Sequence, residues 1–597
     1  MITKPDTADA DYEVLDQYQS QPRRLKIIHV GAGASGLLLA YKARRQLRNY
    51  ELVCYEKNQT YGGTWYENKY PGCACDIPAH VYTYTFQPNT EWSGFYSGAD
   101  EIEQYFRRFH DQHNLAPYIR LNSEVVSATW LEDDGEWEVQ VKVKNEENEN
   151  QTTIITDRCN VLINGSGVVN KWKFLVRMMQ DPLTPRLPPL PGPAIEGISS
   201  YKGTLAHSAH WDTSIDWQGK KVAVLGTGSS SIQMVPHLAK GSQSLTVFAR
   251  NMTYIAPQIA TDAQQVDPNG QPPAAAGKHY YIDAEKERFR NDRAFHLQYR
   301  KGLESALTAA FPMFLRGTKQ NVQAKEMMQA SMRAKLGPGH DELKKRFIPE
   351  WSPGCRRLTP GEGYLETLTL EHVSVVHDEI VRFTETGLVT ASGQEFEFDV
   401  IACATGFNIA YTPHFRITGV DGAVMQDEWK DTPNIYLSIA APKFPNYFVV
   451  NGPTGNWGQG CALPSCCRKM QEDGIRAMEA RQGPTTQINE HLDAWHRKYS
   501  VWAEECRSWY KDNKPHGRVY IWPGSLLHHM KALKTPRYEH YDLRYHDDNV
   551  WAFLGNGRTD LEMEFEQGKQ VDLAPYIRNE DVPWSLDLPE NLPLRAS

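Results

Sequence analysis

The sequence has 597 residues, of which 64 are Lys or Arg and 73 are Asp or Glu, so its formal net charge is −9. Apolar residues make up 40% of the chain and charged residues 23%, a balance that excludes a disordered chain. The negative charge argues against nucleic acid as the main partner, and no apolar run approaches the ~18 residues that span a bilayer. We expect a cytoplasmic, monomeric protein of several structural units, without nucleic-acid or membrane partners.

The first eleven residues are acidic and polar, which predicts neither a signal peptide nor a transit peptide. The chain has 10 cysteines, and its close pairs are Cys73/Cys75 and Cys466/Cys467. Neither pair has a second pair at the spacing that zinc sites use. Because cytoplasmic thiols stay reduced, we expect reduced structural cysteines and no metal site.

The first predicted element is an apolar strand, Leu25–Val30, which runs into the turn Gly31-Ala32-Gly33-Ala34-Ser35-Gly36. A helical stretch follows, and then a second strand, Leu52–Tyr55, which ends at Glu56. This order is the dinucleotide-binding fingerprint in its full context. Its glycines let backbone N–H groups approach a pyrophosphate at the helix N-terminus, and its acid accepts hydrogen bonds from ribose hydroxyls. A carboxylate favours an unphosphorylated ribose, so this site predicts FAD.

The pattern repeats at Lys221–Leu225, which continues into Gly226-Thr227-Gly228-Ser229-Ser230-Ser231. Ser231 replaces the third glycine, which loosens the packing of helix on strand but leaves the phosphate approach open. The following strand, Leu245–Phe248, ends near Arg250 instead of an acid. A guanidinium binds a 2′-phosphate that a carboxylate would repel, so the second site predicts NADP.

Each fingerprint is followed by a predicted β-meander, at residues 124–156 and 373–398. Each meander leads into a buried strand that ends in a glycine turn, at Val161–Asn164 and at Val400–Cys403. The duplicated order predicts an α/β fold with two Rossmann-like dinucleotide-binding domains, one for FAD and one for NADP.

Helical spacing over residues 280–346, broken at Gly317 and at Gly337-Pro338-Gly339, predicts a helical insertion in the NADP domain at about 275–350. A second helical block is predicted at 466–506. We divide the chain into the first part of the FAD-binding domain, a linker, the NADP-binding domain, and the second part of the FAD-binding domain. Their boundaries, in chain order, are 1–170, 171–215, 216–400 and 401–597.

Two further strings carry a resemblance to a known family. Tyr201-Lys202-Gly203-Thr204-Leu205-Ala206-His207-Ser208-Ala209-His210-Trp211-Asp212 fits the signature F-x-G-x-x-x-H-x-x-x-W-P/D, with Tyr in place of Phe. Gly62-Gly63-Thr64-Trp65, continued by Tyr70-Pro71-Gly72 and Asp76, fits A/G-G-x-W-x-x-x-x-F/Y-P-G/M-x-x-x-D. The chain therefore resembles the type I Baeyer–Villiger monooxygenases over residues 25–560.

A third match, Gly354-Cys355-Arg356-Arg357, resembles the basic pair that ends the family's helical insertion. The resemblance implies that Arg357 is the active-site arginine, that Asp76 orients it, and that Arg356 helps to hold the NADP phosphate. A guanidinium stays charged at any working pH and stabilises an anionic oxygen. Trp509 resembles the tryptophan of a loop that closes over the nicotinamide and excludes water.

His207 and Trp211 complete the catalytic set that the signature implies, with His207 organising the loop between the domains. Residues 173–190 and 454–467 depart from the family and leave the substrate scope open. The cofactor-binding set that the resemblance implies is Gly31, Gly33, Ala34, Ser35, Gly36, Glu56, Lys57, Gly63, Thr64, Trp65, Asp76, Ile77, Tyr82, Val125, Gly226, Thr227, Gly228, Ser229, Ser230, Ser231, Gln233, Arg250, Asn251, Arg356 and Trp509.

The resemblance implies an NADPH- and O2-dependent flavoprotein that converts ketones to esters or lactones through a C4a-peroxyflavin and oxidises sulfides as a side activity. The Trp211-Asp212 ending favours this branch over the N- or S-oxygenating flavin-containing monooxygenases, which are the alternative. A pyridine-nucleotide reductase without oxygenation and a non-catalytic FAD-binding protein are two further alternatives.

Overall fold

The structure is a computed structural model that describes residues 12–145, 151–169, 195–249, 251–257, 280–407, 411–455 and 463–582. In chain order its helices and strands begin with β1 (Leu25–Val30), α1 (Ala34–Gln46), β2 (Tyr50–Tyr55), α2 (Thr64–Glu67), α3 (Ala99–Gln112), β3 (Ile119–Arg120), β4 (Ser123–Leu131), β5 (Glu136–Lys144), β6 (Thr152–Cys159), β7 (Val161–Asn164), β8 (Thr204–His207), β9 (Lys221–Leu225), α4 (Ser229–Leu238), β10 (Ser244–Phe248) and β11 (Ile255–Ala256). They continue with α5 (Asp283–Asn291), α6 (Arg293–Ala309), α7 (Lys319–Leu336), α8 (Asp341–Phe347), β12 (Thr359–Pro360), α9 (Tyr364–Thr367), β13 (Val373–Val376), β14 (Ile380–Phe383), β15 (Gly387–Thr390), β16 (Glu395–Glu397), β17 (Val400–Cys403), β18 (Arg416–Thr418), α10 (Met425–Glu428), β19 (Tyr447–Val449), α11 (Leu463–Glu472), β20 (Ile475–Ala480), α12 (Gln482–Tyr499), α13 (Leu526–Leu533), β21 (Tyr541–Tyr545) and α14 (Asp560–Glu566).

Five parallel strands form the first sheet, in the order β19-β7-β1-β2-β3. The central strand β1 is apolar because both of its faces are covered: Ile27 and Ile28 point to opposite sides and are both 0% exposed. Helix α1 packs against the sheet through Leu37 and Ala40. The first fingerprint is therefore confirmed as strand, glycine turn, helix and strand.

The second sheet repeats this arrangement with five parallel strands in the order β13-β10-β9-β17-β8. Its central strand β9 leads through the second glycine turn into α4, whose buried side chains include Ile232 and Val235. The predicted fold of two Rossmann-like α/β domains is confirmed.

Three strands of the second sheet differ from the prediction. Strand β13 pairs in parallel with β10, so the second meander comprises only β14, β15 and β16, and residues 373–376 do not belong to it. Strand β17 pairs with β8 and β9, so the domain boundary predicted at residue 400 falls inside this domain, and β8 brings part of the predicted linker into the same sheet. Short apolar strands carry no local mark of their partners, so sequence alone did not assign them.

The first meander forms as predicted from β4, β5 and β6, and β18 joins it in parallel beside β4. Trp137, Val139 and Val141 alternate toward the core and are all 0% exposed. They pack against the first sheet and shield the face opposite α1.

The helical insertion consists of α5, α6, α7 and α8, with breaks at the predicted glycines. It is attached to the FAD domain as well as to its own domain. His80 Nδ1 lies 2.9 Å from His296 Nε2 of α6, and Arg300 Nε donates to the carbonyl of His80 at 3.1 Å. The insertion therefore bridges the two domains.

The second predicted helical block, 466–506, is wrong in its centre. Gly474 adopts a φ of +69° after α11, and the chain then enters strand β20, which pairs antiparallel with β21. Strand β20 lies between the helices α11 and α12, and its Ala477 and Met478 are both buried. The partner strand lies more than sixty residues later, so the local pattern did not reveal it.

Cys355 and Cys506 form a disulfide with a Cα–Cα distance of 6.3 Å. The prediction that all cysteines are reduced is wrong for this pair, which 151 residues separate in sequence. The free cysteines in the described part of the chain are Cys54, Cys73, Cys75, Cys159, Cys403, Cys466 and Cys467.

Apolar side chains concentrate on the two faces of each parallel sheet, where helices cover one face and a meander the other. None of the helices in the described ranges combines the length and apolar character that crossing a membrane requires.

Candidate active site

A continuous cavity of about 3780 Å³ lies at the carboxyl ends of the strands in both parallel sheets and reaches both glycine turns. Ligands of open α/β folds bind in this position. The predicted site residues that line it are Gly31, Gly33, Ala34, Ser35, Glu56, Lys57, Gly63, Thr64, Trp65, Asp76, Ile77, Tyr82, Val125, Gly226, Thr227, Gly228, Ser229, Ser230, Gln233, Asn251, Arg356, Arg357 and Trp509.

The first glycine turn packs directly against the backbone of Gly62-Gly63. Gly31 has a φ of +99° and Gly63 a φ of +54°, so both adopt backbone that other residues rarely reach. A Cβ built on Gly63 would lie 3.1 Å from the Cα of Gly33. Among the described side chains none caps α1, so the N–H groups of its first turn are available beside this contact.

The carboxylate of Glu56 is fixed at the end of β2. Its Oε2 accepts a hydrogen bond from the backbone N–H of Ala32 at 2.7 Å, and its Oε1 accepts one from Asn58 at 3.0 Å. Burial raises the pKa of Glu56, and these two bonds oppose the increase. The acid is held beside the turn that it follows in the fingerprint.

The second glycine turn has the same geometry. Gly226 has a φ of +121°, and a Cβ there would lie 2.6 Å from the carbonyl oxygen of Ala404 in the turn after β17. The hydroxyl of Thr227 donates to the carbonyl of Asn251 at 2.7 Å and joins the turn to the end of β10. Helix α4 also starts without a side-chain cap from the described residues.

The Tyr70-Pro71-Gly72 string of the second signature makes the contact between the two domains. The hydroxyl of Tyr70 donates to Gln233 Oε1 at 2.7 Å, and Gln233 Nε2 donates to the carbonyl of Ala74 at 2.9 Å. Gly72, with a φ of +80°, lies so close to α4 that a Cβ would be 2.5 Å from the carbonyl oxygen of Gln233.

Arg357 and Asp76 form a bidentate ion pair within the cavity. The guanidinium donates from Nε to Oδ2 at 2.6 Å and from a terminal nitrogen to Oδ1 at 2.8 Å. The carboxylate raises the pKa of Arg357 above its ordinary value and outweighs burial. Burial alone would raise the pKa of Asp76, but the guanidinium holds it below its usual value. Both groups therefore stay charged.

The neighbouring Arg356 has a different environment. Its guanidinium donates to the carbonyl of Met252, and burial lowers its pKa to about 10. Its side chain lines the cavity.

Trp509 begins a short 3-10 helix, Trp509–Lys511, and lines the cavity. The ring of Tyr510 is 4.2 Å from that of Trp509. Burial raises the pKa of Tyr510, while the charge of Arg357 opposes the increase, which places the phenol beside the guanidinium.

The structure does not bring His207 and Trp211 to the cavity wall. His207 is 2% exposed, its Nε2 lies 3.1 Å from Thr405 Oγ1, and its Nδ1 accepts from the N–H of Ala209 at 3.1 Å. Trp211 packs in the core of the second domain. Because Thr405 itself lines the cavity, His207 supports this wall from behind. The roles that the resemblance implies for His207 and Trp211 stay predictions.

Two other described members of the predicted set are also absent from the cavity wall. Gly36 serves packing, since a Cβ there would lie 2.4 Å from the carbonyl oxygen of Gly31. Ser231 is 0% exposed within α4. Arg250 and the predicted loop 173–190 lie outside the described residues.

Sequence reasoning assigned no role to several residues that this site contains. Arg300 of the insertion lines the cavity and donates to the 80–85 loop, and Tyr510 faces Arg357. The half-cystines Cys355 and Cys506 are two further residues to which the sequence reasoning gave no role. One sequence signal could have found Cys355 and Tyr510, because each lies next to a residue that the family motifs identify. In the described ranges no three His, Cys, Asp or Glu side chains are grouped as a metal site requires.

Two Rossmann-like domains that open on one cavity define the class of two-dinucleotide-domain oxidoreductases. Residues 30–99 match the NAD(P)-binding Rossmann-like domain family. The FAD-binding monooxygenase tazF of Aspergillus terreus is 35% identical over 572 residues, which cover 93% of this chain and 95% of that protein. OTEMO in complex with FAD and NADP, and cyclohexanone monooxygenase from Rhodococcus sp. Phi1 bound to NADP+, each align with a TM-score of 0.68 at 22% identity, covering 88% of this chain and 100% of theirs.

The chain belongs to the family of FAD-binding monooxygenases, because the similarity to tazF extends over nearly the full length of both proteins. The family membership that the sequence resemblance implied is confirmed at the level of FAD-binding monooxygenases, and the fold that it implied is confirmed by the alignment with cyclohexanone monooxygenase.

Proposed function

We propose that this chain is an NADPH- and O2-dependent Baeyer–Villiger monooxygenase that converts ketones to esters or lactones, with sulfide oxidation as a side activity. The observation that carries the proposal is the ion pair of Arg357 and Asp76 in the cavity that joins the two glycine turns. Oxidation of a carbonyl develops negative charge on oxygen, and a permanent positive charge stabilises it.

The residues around the first glycine turn fit FAD. Gly33 and Gly63 line the cavity without side chains, so their backbone would be open to a pyrophosphate. The uncapped start of α1 offers N–H donors, and Glu56 would accept hydrogen bonds from the ribose. The second turn, with Gly228 at the uncapped start of α4, fits NADP in the same way. Bound at these two turns, NADPH and FAD would supply the reducing equivalents and the O2 activation that insertion of oxygen beside a carbonyl requires.

Arg357 supplies the fixed charge. Its raised pKa means that the guanidinium keeps its proton through the reaction, and the two hydrogen bonds to Asp76 fix the plane of the group. Its remaining N–H groups point a positive charge toward the substrate oxygen. Asp76 acts through Arg357 as a positioning residue.

Two other side chains prepare the second site. Arg356, already desolvated, provides a cation for an NADP phosphate, which compensates its burial. Trp509 covers the nicotinamide side of the cavity and excludes water from the reacting atoms.

The test supplies NADPH and a panel of linear, cyclic and aryl ketones, and follows ester formation by gas chromatography. We expect Arg357→Ala to keep its FAD and to form ester roughly 10²–10³-fold more slowly than the wild-type protein. Arg346→Ala, which removes an exposed arginine of α8, is the control and is expected to match the wild-type protein.

Ester formation by Arg357→Ala at the wild-type rate would contradict the assigned role. Oxidation of amines or thioethers without any oxidation of ketones would favour the N- or S-oxygenating alternative. NADPH oxidation without O2 consumption would favour a reductase.

A further inference from the structure

A covalent bond joins two segments that both line the cavity. The arginine segment is residues 352–358, and the tryptophan segment is residues 504–517. The disulfide between Cys355 and Cys506 connects them, and its half-cystines are 0% and 3% exposed. Cys355 comes two residues before the active-site arginine, and Cys506 comes three residues before the tryptophan.

Hydrogen bonds make the tryptophan segment a compact unit and dock it on the arginine segment. The backbone N–H of Ser352 donates to Glu504 Oε2 at 2.8 Å. Lys511 Nζ donates to the carbonyl of Glu504 at 2.5 Å and to that of Pro515 at 2.8 Å. This lysine side chain is buried, and burial lowers its pKa to about 8. The ammonium therefore closes the segment on itself.

The tryptophan segment also contacts the reactive arginine directly. The guanidinium of Arg357 has Asp76 along one edge and interacts with the phenol of Tyr510. Because the disulfide holds both segments at this contact, a displacement of Trp509 would also displace the phenol beside Arg357.

We infer that the Cys355–Cys506 disulfide is a positioning device that holds Arg357 and Trp509 in one rigid unit, so that closure over the nicotinamide and the placement of the guanidinium occur together. This inference rests on the proposed function. Without the covalent link the two segments move independently, and NADPH oxidation proceeds with less oxygen transferred to the ketone. The oxygen that is not transferred leaves as hydrogen peroxide.

Reduction by a dithiol breaks this covalent link. Dithiothreitol transfers two electrons and two protons to the disulfide, the S–S bond breaks, and Cys355 and Cys506 each become a thiol. The dithiothreitol becomes a cyclic disulfide, so the exchange balances.

The experiment starts with the FAD-loaded protein and peptide mapping under non-reducing conditions, which is expected to recover Cys355 and Cys506 in one linked peptide pair. The Cys355→Ala/Cys506→Ala variant and dithiothreitol-treated wild type are then compared with untreated wild type. In both we expect faster backbone hydrogen exchange in residues 504–517 and at least a fivefold lower ratio of ester formed to NADPH consumed, with hydrogen peroxide accounting for the difference. Cys159→Ala, which removes a buried free thiol of β6, is the matched control and should change neither quantity.

Dithiothreitol should have no effect on the double variant, which separates this bond from other targets of the reagent. Two results would overturn the inference. One is free thiols at both positions in the isolated protein. The other is that loss of the disulfide changes neither the hydrogen exchange nor the ratio of ester formed to NADPH consumed. If the double variant does not fold, the dithiothreitol arm on wild type decides. Hydrogen exchange and peptide mapping need no ketone, so failure of the proposed function is recognised separately, by the absence of ester from untreated wild type.

Discussion

Among single residues, Gly72 is a signature position whose role is to let the two domains pack closely. It lies in the first domain, yet its missing side chain is what allows helix α4 of the second domain to approach. The neighbouring Tyr70 and Gln233 add hydrogen bonds at the same contact. The close approach brings the start of α4 to the cavity that the first glycine turn already faces.

We expect Gly72→Ala to destabilise the protein by roughly 1–3 kcal/mol, because the new Cβ meets the carbonyl oxygen of Gln233 and the positive φ adds strain. Thermal unfolding measures the change. Gly393→Ala is a matched control, since Gly393 has a φ of +85° and no atom of the described residues lies within 4 Å of its Cβ position. Equal losses in the two variants would show that backbone strain, and not the domain contact, sets the cost.

Residues within family signatures were predictable, and residues that act through tertiary contact were not. Asp76 and Arg357 are 281 positions apart, and their motifs nevertheless predicted a contact that the structure contains. Tyr510 and Cys506 stand within a few residues of Trp509, but the resemblance assigned a role to neither of them. Their partners lie more than 150 residues away, and neither periodicity nor spacing encodes such a distance.

At the scale of elements, α6 is the attachment of the helical insertion to the first domain. The contact of His80 with His296 is buried, and a neutral imidazole pair is what its surroundings accommodate. Burial, followed by the charge of Arg300, lowers the pKa of His296 to about 4, and burial holds the pKa of His80 well below its ordinary value.

The lowered pKa values of His80 and His296 predict that the free energy of unfolding falls in acid. Between the ordinary pKa of 6.5 and about 4, the unfolded chain binds protons that the folded pair does not. The free energy of unfolding is therefore expected to be at its full value above pH 6.5 and to fall as the pH is lowered toward 4. Urea unfolding across this range measures it, and His296→Gln should show a shallower decline than wild type. Identical slopes would contradict the assignment.

Elements with a strong local pattern were predicted well, including both fingerprints, the first meander and the insertion helices. The misassigned elements are β8, β13 and β20, which are four to six residues long, while β17 was predicted as a strand but assigned to the wrong domain. A strand of this length is placed by the partner that satisfies its backbone hydrogen bonds, and that partner is remote in sequence.

At the scale of the whole molecule, the cavity makes the two nucleotide sites parts of one space. The sequence predicted two domains but not their arrangement, which depends on contacts such as that of Gly72 with α4. A nucleotide at the second turn therefore adds contacts across the domain boundary as well as within its own domain.

We expect Gly228→Val to remove NADP+ binding without harming the fold. The residue has an extended φ of −82°, and no atom in the described part of the chain lies within 4 Å of its Cβ position, so the larger side chain enters only the nucleotide space. Saturating NADP+ at about a hundred times its dissociation constant should stabilise wild type by about 2.7 kcal/mol and the variant by none. FAD absorbance is the control and should be equal in both proteins. Stabilisation of the variant by NADP+ would place the nucleotide elsewhere.

The position of β19 has a consequence for biosynthesis. This strand completes the first sheet beside β7, and the bonded side chains Asn164 and Tyr447 are 283 positions apart. At roughly 5–20 residues per second, a ribosome needs about 15–60 s to make the intervening chain. During that interval the edge of β7 stays unpaired while the entire second domain is synthesised. The nascent chain is therefore most prone to mispairing at this edge before residue 447 leaves the exit tunnel.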